Sequence, residues 1–277
     1  MCFSALTRKN IKEVELRLGV EQAKEVWENL FGKSTEYPKD YKVAKSGERF
    51  FCGDKYYVPA YYQKGETIVC EPMRYGKYYE PKLRNITRGN RQEKRCNYNS
   101  RLDNLRSTAW SDAYQKGHGF IILDGFFENV QVRNLLSSGS ITLTAIKNHF
   151  AALTLQRKKK ILAQGKSYSP TKTELKEPSE RSIVIEFNPQ SALGLFVPVI
   201  FNHDIWEHNP FKGFSLITTE PTPEISAAGH DRCPVILREE ALIKWLKPTN
   251  KTHEQILEIL SQQVTHFFTP KLEDKIA

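Results

Sequence analysis

Four apolar runs of β type follow one another in the second half of the chain, and they indicate a β-rich core. They are 183–187, 195–201, 214–219 and 234–237. Short apolar runs bounded by turn-forming residues predict buried strands. Helical patterns lie mainly at the two ends of the chain, at 10–31 and 239–264. Because strands and helices are grouped rather than alternating, the sequence predicts an α+β fold.

The rest of the chain fits the same class. Residues 119–127 predict a buried strand with a tight turn inside it, and 141–163 predict a helix. Asn10 with Glu13, and Thr252 with Gln255, resemble capping boxes at helix starts. The length of 277 residues suits one large domain or two small ones.

The charge of the chain bears on its partners. The formal net charge is +9, from 41 basic and 32 acidic residues. A balance of this size favours a polyanion, with nucleic acid first and an anionic membrane surface second. A basic soluble enzyme without a polyanionic partner is the competing interpretation.

The densest basic tract spans residues 74–106. It holds ten Lys and Arg residues against three acidic ones, with four tyrosines from Tyr75 to Tyr98 interleaved. Cationic and aromatic side chains together suit a surface that follows phosphates and stacks bases. The alternative is a solvated basic loop whose tyrosines face the core.

The ends and the cysteines narrow the class of protein. No apolar run approaches the ~20 residues that cross a bilayer, and the N-terminus lacks the pattern of a signal peptide. We therefore expect an intracellular, cytoplasmic protein. The five cysteines form no CxxC pair, so the sequence predicts no metal site. Four of them are expected to be ordinary thiols, whereas Cys2 stands apart because of its position.

Cys2 can offer a chemistry that no internal cysteine has. Removal of Met1 would leave a free α-amine beside the thiol, with pKa values of about 8 and 8.5. A 1,2-aminothiol captures an aldehyde by forming a Schiff base and then closing a thiazolidine ring. The simpler alternative is that Cys2 is an accident of position.

This chemistry needs an acid/base group near the reacting atoms. Glu128 ends an apolar strand, and His230 lies between Gly229 and a charged pair just before another apolar run. Both are candidates. The alternatives are a surface carboxylate at a turn and a structural histidine.

Four motifs stand together in a fixed order. Their sequences are Met1-Cys2, Asn99-Ser100-Arg101, Asp124-Gly125-Phe126-Phe127-Glu128 and His230-Asp231-Arg232-Cys233-Pro234-Val235-Ile236-Leu237. This set resembles the SRAP family of SOS response-associated peptidases, or abasic-site-processing proteins. Family patterns are roughly MCxR, NARxET, DGFYEW and HDRMPVIL. The resemblance implies one mixed α+β domain over 1–277, built around a β-barrel-like sheet with flanking helices.

The resemblance also implies a function and a set of site residues. Family members bind single-stranded DNA and crosslink to the ring-opened aldehyde of an abasic site. On this resemblance Cys2 is the nucleophile, Asn99 orients its amine, Glu128 is the acid/base group and His230 lies near the sugar. Predicted DNA contacts are Arg101, Thr219 and, from the basic tract, Arg74.

The sequence departs from the family at several positions. Asn129 replaces a Trp, Cys233 a Met and Ser4 an Arg, and the Glu-Thr pair of NARxET is absent. Residues 131–180 resemble an insertion that carries the run Arg157-Lys158-Lys159-Lys160. We expect a solvated helix there in preference to an extension of the DNA surface.

Three functions follow as hypotheses. The first is a covalent sensor of abasic sites in single-stranded DNA, acting as a monomer without cofactor, metal or membrane. The second is a thiol peptidase in which Cys2 and His230 remove Met1. The third is a non-covalent module that binds single-stranded DNA.

Overall fold

The computed structural model describes most of the chain. The described residues are 4–31, 42–52, 56–78, 87–88, 91–92, 96–107, 110–139, 141–190, 194–203, 212–247, 251–264 and 268–272. Among these residues no helix is long and apolar enough to cross a membrane.

Strands dominate the described part of the chain. They are β1 Ser4–Thr7, β2 Glu21–Gln22, β3 Lys42–Val43, β4 Arg49–Phe51, β5 Tyr56–Lys64, β6 Thr67–Tyr75, β7 Lys77–Tyr78, β8 Thr87–Arg88, β9 Arg91–Gln92, β10 Cys96–Asn97, β11 Asn99–Arg101, β12 His118–Gln131, β13 Ser182–Pro189, β14 Leu195–His203, β15 Lys212–Thr219, β16 Cys233–Pro234 and β17 Phe268–Leu272. The helices are α1 Ile11–Arg17, α2 Lys24–Phe31, α3 Ser111–Lys116, α4 Val132–Ser137, α5 Leu143–Ala163, α6 Pro223–Ala227, α7 Glu239–Trp245 and α8 His253–Ser261.

The main sheet curves into a barrel-like ring. Its strand order is β17-β13-β12-β14-β15-β6-β5-β3, and β5 also pairs with β12. That extra pairing sets Tyr61 and Tyr62 against Phe120 and Gly119. It closes the path β12-β14-β15-β6-β5, so the predicted α+β domain around a β-barrel-like sheet is confirmed.

The long strand β12 separates two cores. Successive side chains of a strand point to opposite faces. Ile121 and Leu123 therefore pack inside the ring. Phe120 and Ile122 pack on the other side, with Trp245 of α7. Both faces are buried, which explains why the sequence of this strand is almost continuously apolar.

A β-bulge in β12 fixes the start of the described chain. Leu6 pairs with Gly125 and Thr7 with Leu123, which leaves Asp124 as the extra residue. Its carboxylate accepts hydrogen bonds from Arg8 Nη1 at 2.8 Å and from the Lys9 backbone N–H at 2.9 Å. The predicted tight turn inside 119–127 is therefore wrong, because Asp124 and Gly125 lie in a continuous strand.

Gly125 is required here by close packing. A Cβ at this position would lie 2.8 Å from the Phe187 carbonyl oxygen on β13. That distance is shorter than real Cβ contacts, so a larger residue would push β13 away from β12.

Other sequence predictions have mixed outcomes. The helix over 141–163 and the three strands from 183 to 219 are confirmed. Thr252 and Gln255 form the predicted capping box. Asn10 makes no side-chain cap hydrogen bond, so that capping box is wrong. Of the last predicted strand, 234–237, only Pro234 lies in the observed strand β16, and Leu237 forms an isolated bridge with Gln263.

The segment between β12 and β13 carries α4 and α5. It leaves the sheet after Gln131 and returns at Ser182, and these two residues are paired partners. α5 has 21 residues, of which only Ile146 and Phe150 are buried. That this segment is an insertion relative to the family stays a prediction.

Candidate active site

Glu128 is a fully buried carboxylate in the middle of the sheet. It lies on β12 opposite Ile185 of β13, and none of its surface is exposed. The alternative of a surface residue at a turn is therefore wrong. A carboxylate in this position requires polar partners, because burying an isolated charge is very costly.

His230 supplies such a partner. Its Nε2 lies 3.1 Å from Glu128 Oε2. On the other side of the ring, Nδ1 lies 2.9 Å from the Arg232 carbonyl oxygen and 3.3 Å from the Arg232 backbone N–H. A protonated Nδ1 donates to the carbonyl, and an unprotonated Nδ1 accepts from the N–H. The loop can thus hold the ring in either form with Nε2 facing Glu128.

The loop that carries His230 is tightly anchored. It begins at the end of α6, where Gly229 adopts a left-handed φ of 84°. A Cβ on Gly229 would lie 2.5 Å from Asn134 Cβ, so this close approach needs glycine. Asn134 Nδ2 also donates to the Gly229 carbonyl oxygen at 3.3 Å. On the far side of the ring, Arg232 forms an ion pair with Glu220 at 2.8 Å.

Asn99, Arg101 and Thr219 lie on two adjacent parallel strands. β11 pairs with β15, placing Asn99 beside Leu216 and Arg101 beside Thr218. Thr219 in turn pairs with Cys233, three residues after His230. Thr219 and Arg101 therefore lie near the loop that holds His230, whereas Asn99 lies further along β15, beside Leu216.

The side chains on β11 differ in exposure and partners. The Asn99 Oδ1 atom accepts from the Tyr75 hydroxyl at 3.5 Å, at the limit of a hydrogen bond. Arg101 is exposed and forms an ion pair with Asp103 at 2.5 Å. The hydrogen bond from Arg101 lowers the pKa of Asp103. Arg101 is thus at the surface as the basic half of an exposed ion pair.

Arg74 lies elsewhere on the sheet. It pairs with Gly213 on β15, six residues before Thr219, or about 20 Å along the strand. Only 6% of it is exposed, and its Nε lies 3.4 Å from the Gly76 carbonyl oxygen. Arg74 therefore lies far along β15 from Thr219, and a DNA contact at Arg74 stays a prediction.

Much of the basic tract lies outside the described residues, including 79–86, 89–90 and 93–95. Tyr75 is fully buried, stacked on Phe214 and edge-on to Phe50. Tyr98 packs against Tyr75. Tyr75 therefore faces the core, as the alternative interpretation of the basic tract predicted. It is not available for base stacking.

Cys2 lies outside the described residues, which begin at Ser4. Ser4 is buried and pairs with Phe127 of β12 and Phe51 of β4. Phe127 directly precedes Glu128 in the chain. The N-terminal strand is therefore inserted between two others at the position of the buried carboxylate.

Arg49 on β4 is a charged residue at this position that the sequence analysis missed. Its Nε donates to Ser4 Oγ at 2.8 Å, and its guanidinium lies 3.8 Å from the centre of the Phe127 ring. Burial lowers the pKa of Arg49 to about 10, which leaves it charged at neutral pH. The pairing of β1 with β4 is long-range, so nothing local in the sequence indicated it.

The described cysteines Cys52, Cys70 and Cys233 do not have the properties of activated nucleophiles. Burial raises the pKa of all three thiols, that of Cys233 to about 11. The Cys233 thiol donates to the Glu220 carbonyl oxygen at 3.0 Å. Because the thiolate is the reactive form, these three residues are ordinary thiols, as predicted; Cys70 and Cys233 are buried and Cys52 is half-buried.

Within the described ranges, no three His, Cys, Asp or Glu side chains are placed to hold a metal ion.

The fold matches solved structures over nearly the whole chain. A protein from Bacteroides thetaiotaomicron aligns with a TM-score of 0.54 at 14% identity, covering 98% of this chain and 91% of that one. A phage-related protein from Bordetella bronchiseptica aligns with a TM-score of 0.52 at 14% identity, covering 98% and 94%. A second protein from Bordetella bronchiseptica gives a TM-score of 0.53 at 12% identity, covering 98% and 99%. At these identities the likeness establishes the fold alone.

A search of curated proteins found no match. The sequence model described as "SOS response associated peptidase (SRAP)" matches residues 1–273. That range contains all four motifs, the buried Glu128 and the loop of His230. The chain belongs to the SRAP family of SOS response associated peptidases.

Proposed function

We propose that this protein is a sensor of abasic sites that binds single-stranded DNA and links Cys2 covalently to the ring-opened aldehyde. One observation carries the proposal. The strand that starts two residues after Cys2 pairs with Phe127, next to the buried Glu128, whose carboxylate contacts His230 at 3.1 Å.

The short chain between Cys2 and Ser4 supports the proposal. Two residues of extended chain span at most about 7 Å, so Cys2 lies within that reach of Ser4. Ser4 in turn is held by β12 and by the Arg49 side chain. This short tether supports the proposal, because proton transfer during adduct formation needs the aminothiol close to an acid/base pair.

The reaction balances without any cofactor. The α-amine of Cys2 adds to the aldehyde carbon, and the resulting carbinolamine loses its hydroxyl as one water to give a Schiff base. The Cys2 thiol then adds to the same carbon, its proton ends on nitrogen, and the thiazolidine ring closes. Glu128 and His230 can deliver the proton that leaves with the hydroxyl and take up protons from the amine and thiol.

Charge around the site favours a DNA substrate. Arg101 is exposed on the strand beside the His230 loop, and the chain carries a net charge of +9. Exposed cations beside a reactive site attract the phosphate backbone and hold the damaged nucleotide in place. We propose Arg101 as a phosphate contact and Thr219 and Asn99 as polar residues lining the site.

The test is adduct formation with a single-stranded oligonucleotide that holds one abasic site. Wild-type protein should give a slow-migrating band on a denaturing gel, and Cys2→Ala should give none. Cys2→Ser keeps the amine but not the thiol, so it should give a band only after borohydride reduction of the Schiff base. Cys52→Ala is the matched control and should behave as wild type. Salt-sensitive DNA binding without any adduct would instead support a non-covalent module.

Self-removal of Met1 is a second candidate, favoured by the contact between Glu128 and His230. A base held by a carboxylate is the usual partner of a nucleophilic thiol. If the protein cleaves itself, then in a host without methionine aminopeptidase wild type should lose Met1 and His230→Ala should keep it. Retention of Met1 by wild type in that host would exclude self-cleavage.

A further inference from the structure

The helix α5 is a strongly basic element outside the proposed site. It carries five Lys and Arg residues, at Lys147 and at 157–160, and no acidic residue. Most of its surface is exposed, since only Ile146 and Phe150 are buried. Arg157 is engaged by Glu174 at 2.6 Å, so the charge that the helix can offer to a partner comes from its four lysines.

A groove runs between α5 and the segment that returns to β13. Its volume is about 390 Å³, and its floor includes Phe150, Leu155 and Pro178. Among the residues of α5 that line the groove, Lys147 is the first and Lys158 the last. They are about 16 Å apart along the helix axis. No acidic side chain lines it.

Arg181 adds a third cation to the groove wall. Its guanidinium lies 3.5 Å from the centre of the Phe150 ring, which fixes it in place. Burial lowers the pKa of Arg181, as expected of a guanidinium drawn against an apolar floor. The groove thus combines three positive groups with an apolar surface.

The groove is rigidly connected to the proposed site. Arg181 directly precedes Ser182, which pairs with Gln131 on β12. Gln131 lies three residues after Glu128, or about 10 Å along the strand. The same segment also holds the His230 loop through the hydrogen bond from Asn134 to Gly229. A chain bound at the site can therefore continue into the groove.

We propose that this groove is a second binding site for the sugar-phosphate backbone of single-stranded DNA, flanking the damaged nucleotide. This inference rests on the proposed function, which identifies the polymer as single-stranded DNA. Three cations with no lining carboxylate match a polyanion, and the apolar floor accommodates sugar or base faces. The groove would extend the DNA footprint beyond the reactive site.

The experiment measures binding to an undamaged single-stranded oligonucleotide over a range of salt concentrations. Lys147→Gln with Lys158→Gln removes two groove cations and leaves Arg181 stacked on Phe150. The matched control, Lys12→Gln with Lys244→Gln, removes two exposed cations of α1 and α7. Each lost phosphate contact lowers the slope of log K against log salt by about 0.7 for single strands.

The groove variant should therefore lose about 1.4 from the wild-type slope, and the control should keep it. Equal slopes for both variants, or no binding by wild type, would overturn the proposal. The proposal would also be overturned if wild type bound an acidic peptide containing leucine but no DNA, and the groove variant did not bind that peptide. Adduct formation on an oligonucleotide with an abasic site is scored separately. If wild type forms no adduct but the groove variant still has a smaller salt slope than the control, the proposed function is wrong and the groove remains a DNA-binding site.

Discussion

Glu128 Oε2 and His230 Nε2 lie 3.1 Å apart, although they come from a central strand and a loop far apart in the sequence. The carboxylate is fully buried, and the imidazole is held from its other side by the Arg232 peptide. The pair is therefore oriented before any substrate arrives, as acid/base catalysis requires.

Glu128→Gln should slow adduct formation by roughly 10²-fold or more, because an amide cannot transfer the proton. The rate is measured from single-turnover time courses on denaturing gels. Glu66→Gln, at an exposed turn between β5 and β6, serves as the control and should leave the rate unchanged. A wild-type rate for Glu128→Gln would remove the carboxylate from the mechanism.

His230→Gln should slow the release of protein from a preformed adduct, since reopening the ring also needs proton transfer. We expect an effect of roughly 10²-fold or more, at the lower end of what acid/base catalysis contributes. Release is followed by the transfer of protein to a labelled competitor oligonucleotide. His149→Gln on α5 provides the control, and equal release by both variants would contradict the role of His230.

Arg49→Ala should weaken the attachment of the N-terminal strand. It removes the hydrogen bond to Ser4 and the contact with the Phe127 ring. We expect a loss of about 2 kcal/mol in the free energy of unfolding, together with slower adduct formation. Urea unfolding checks the first effect, with the exposed Arg106→Ala as comparison. If Arg49→Ala and Arg106→Ala lowered the free energy of unfolding by similar amounts, the contacts of Arg49 would contribute little to stability.

The buried His118 should make stability depend on pH. It is stacked on Trp245, and its two ring nitrogens face the Tyr114 and Trp245 carbonyl oxygens. Burial lowers its pKa to about 4, below the 6.5 of an unfolded histidine. The unfolded chain therefore binds more protons between these values, and stability falls as pH falls from about 6.5 towards 4.

The loss should be about 1.4 kcal/mol per pH unit inside that window and absent above it. Urea unfolding of wild type and His118→Phe at pH 7 and pH 5 measures it. The variant should be less stable than wild type at pH 7. Its free energy of unfolding should fall less than that of wild type between pH 7 and pH 5. An identical pH dependence of wild type and variant would rule out His118 as the source.

The motif at 124–128 shows what the sequence could and could not predict. Its apolar pattern correctly indicated a buried strand, because both faces of β12 pack against cores. The Asp-Gly pair suggested a turn, since those residues are frequent in turns. The bulge depends instead on pairing with β1, over a hundred residues away in the chain, which no local pattern encodes.

The same distinction applies to the site. His230 and Glu128 were recognisable as motif residues, but their contact depends on the tertiary position of the Gly229 loop. Arg49 was missed because its role arises only from the insertion of β1 beside β4. The net charge of the chain favoured nucleic acid as its binding partner. It did not distinguish Arg74, which is buried, from Arg101, which is exposed.

The most direct test of the central claim is the intact mass of the complex between purified protein and an oligonucleotide with one abasic site. A thiazolidine at Cys2 predicts the sum of the oligonucleotide and the protein without Met1, less one water. Peptide mapping should place the link on Cys2. A complex that retains Met1, a link at another residue, or no covalent complex at all would rule out a thiazolidine at Cys2.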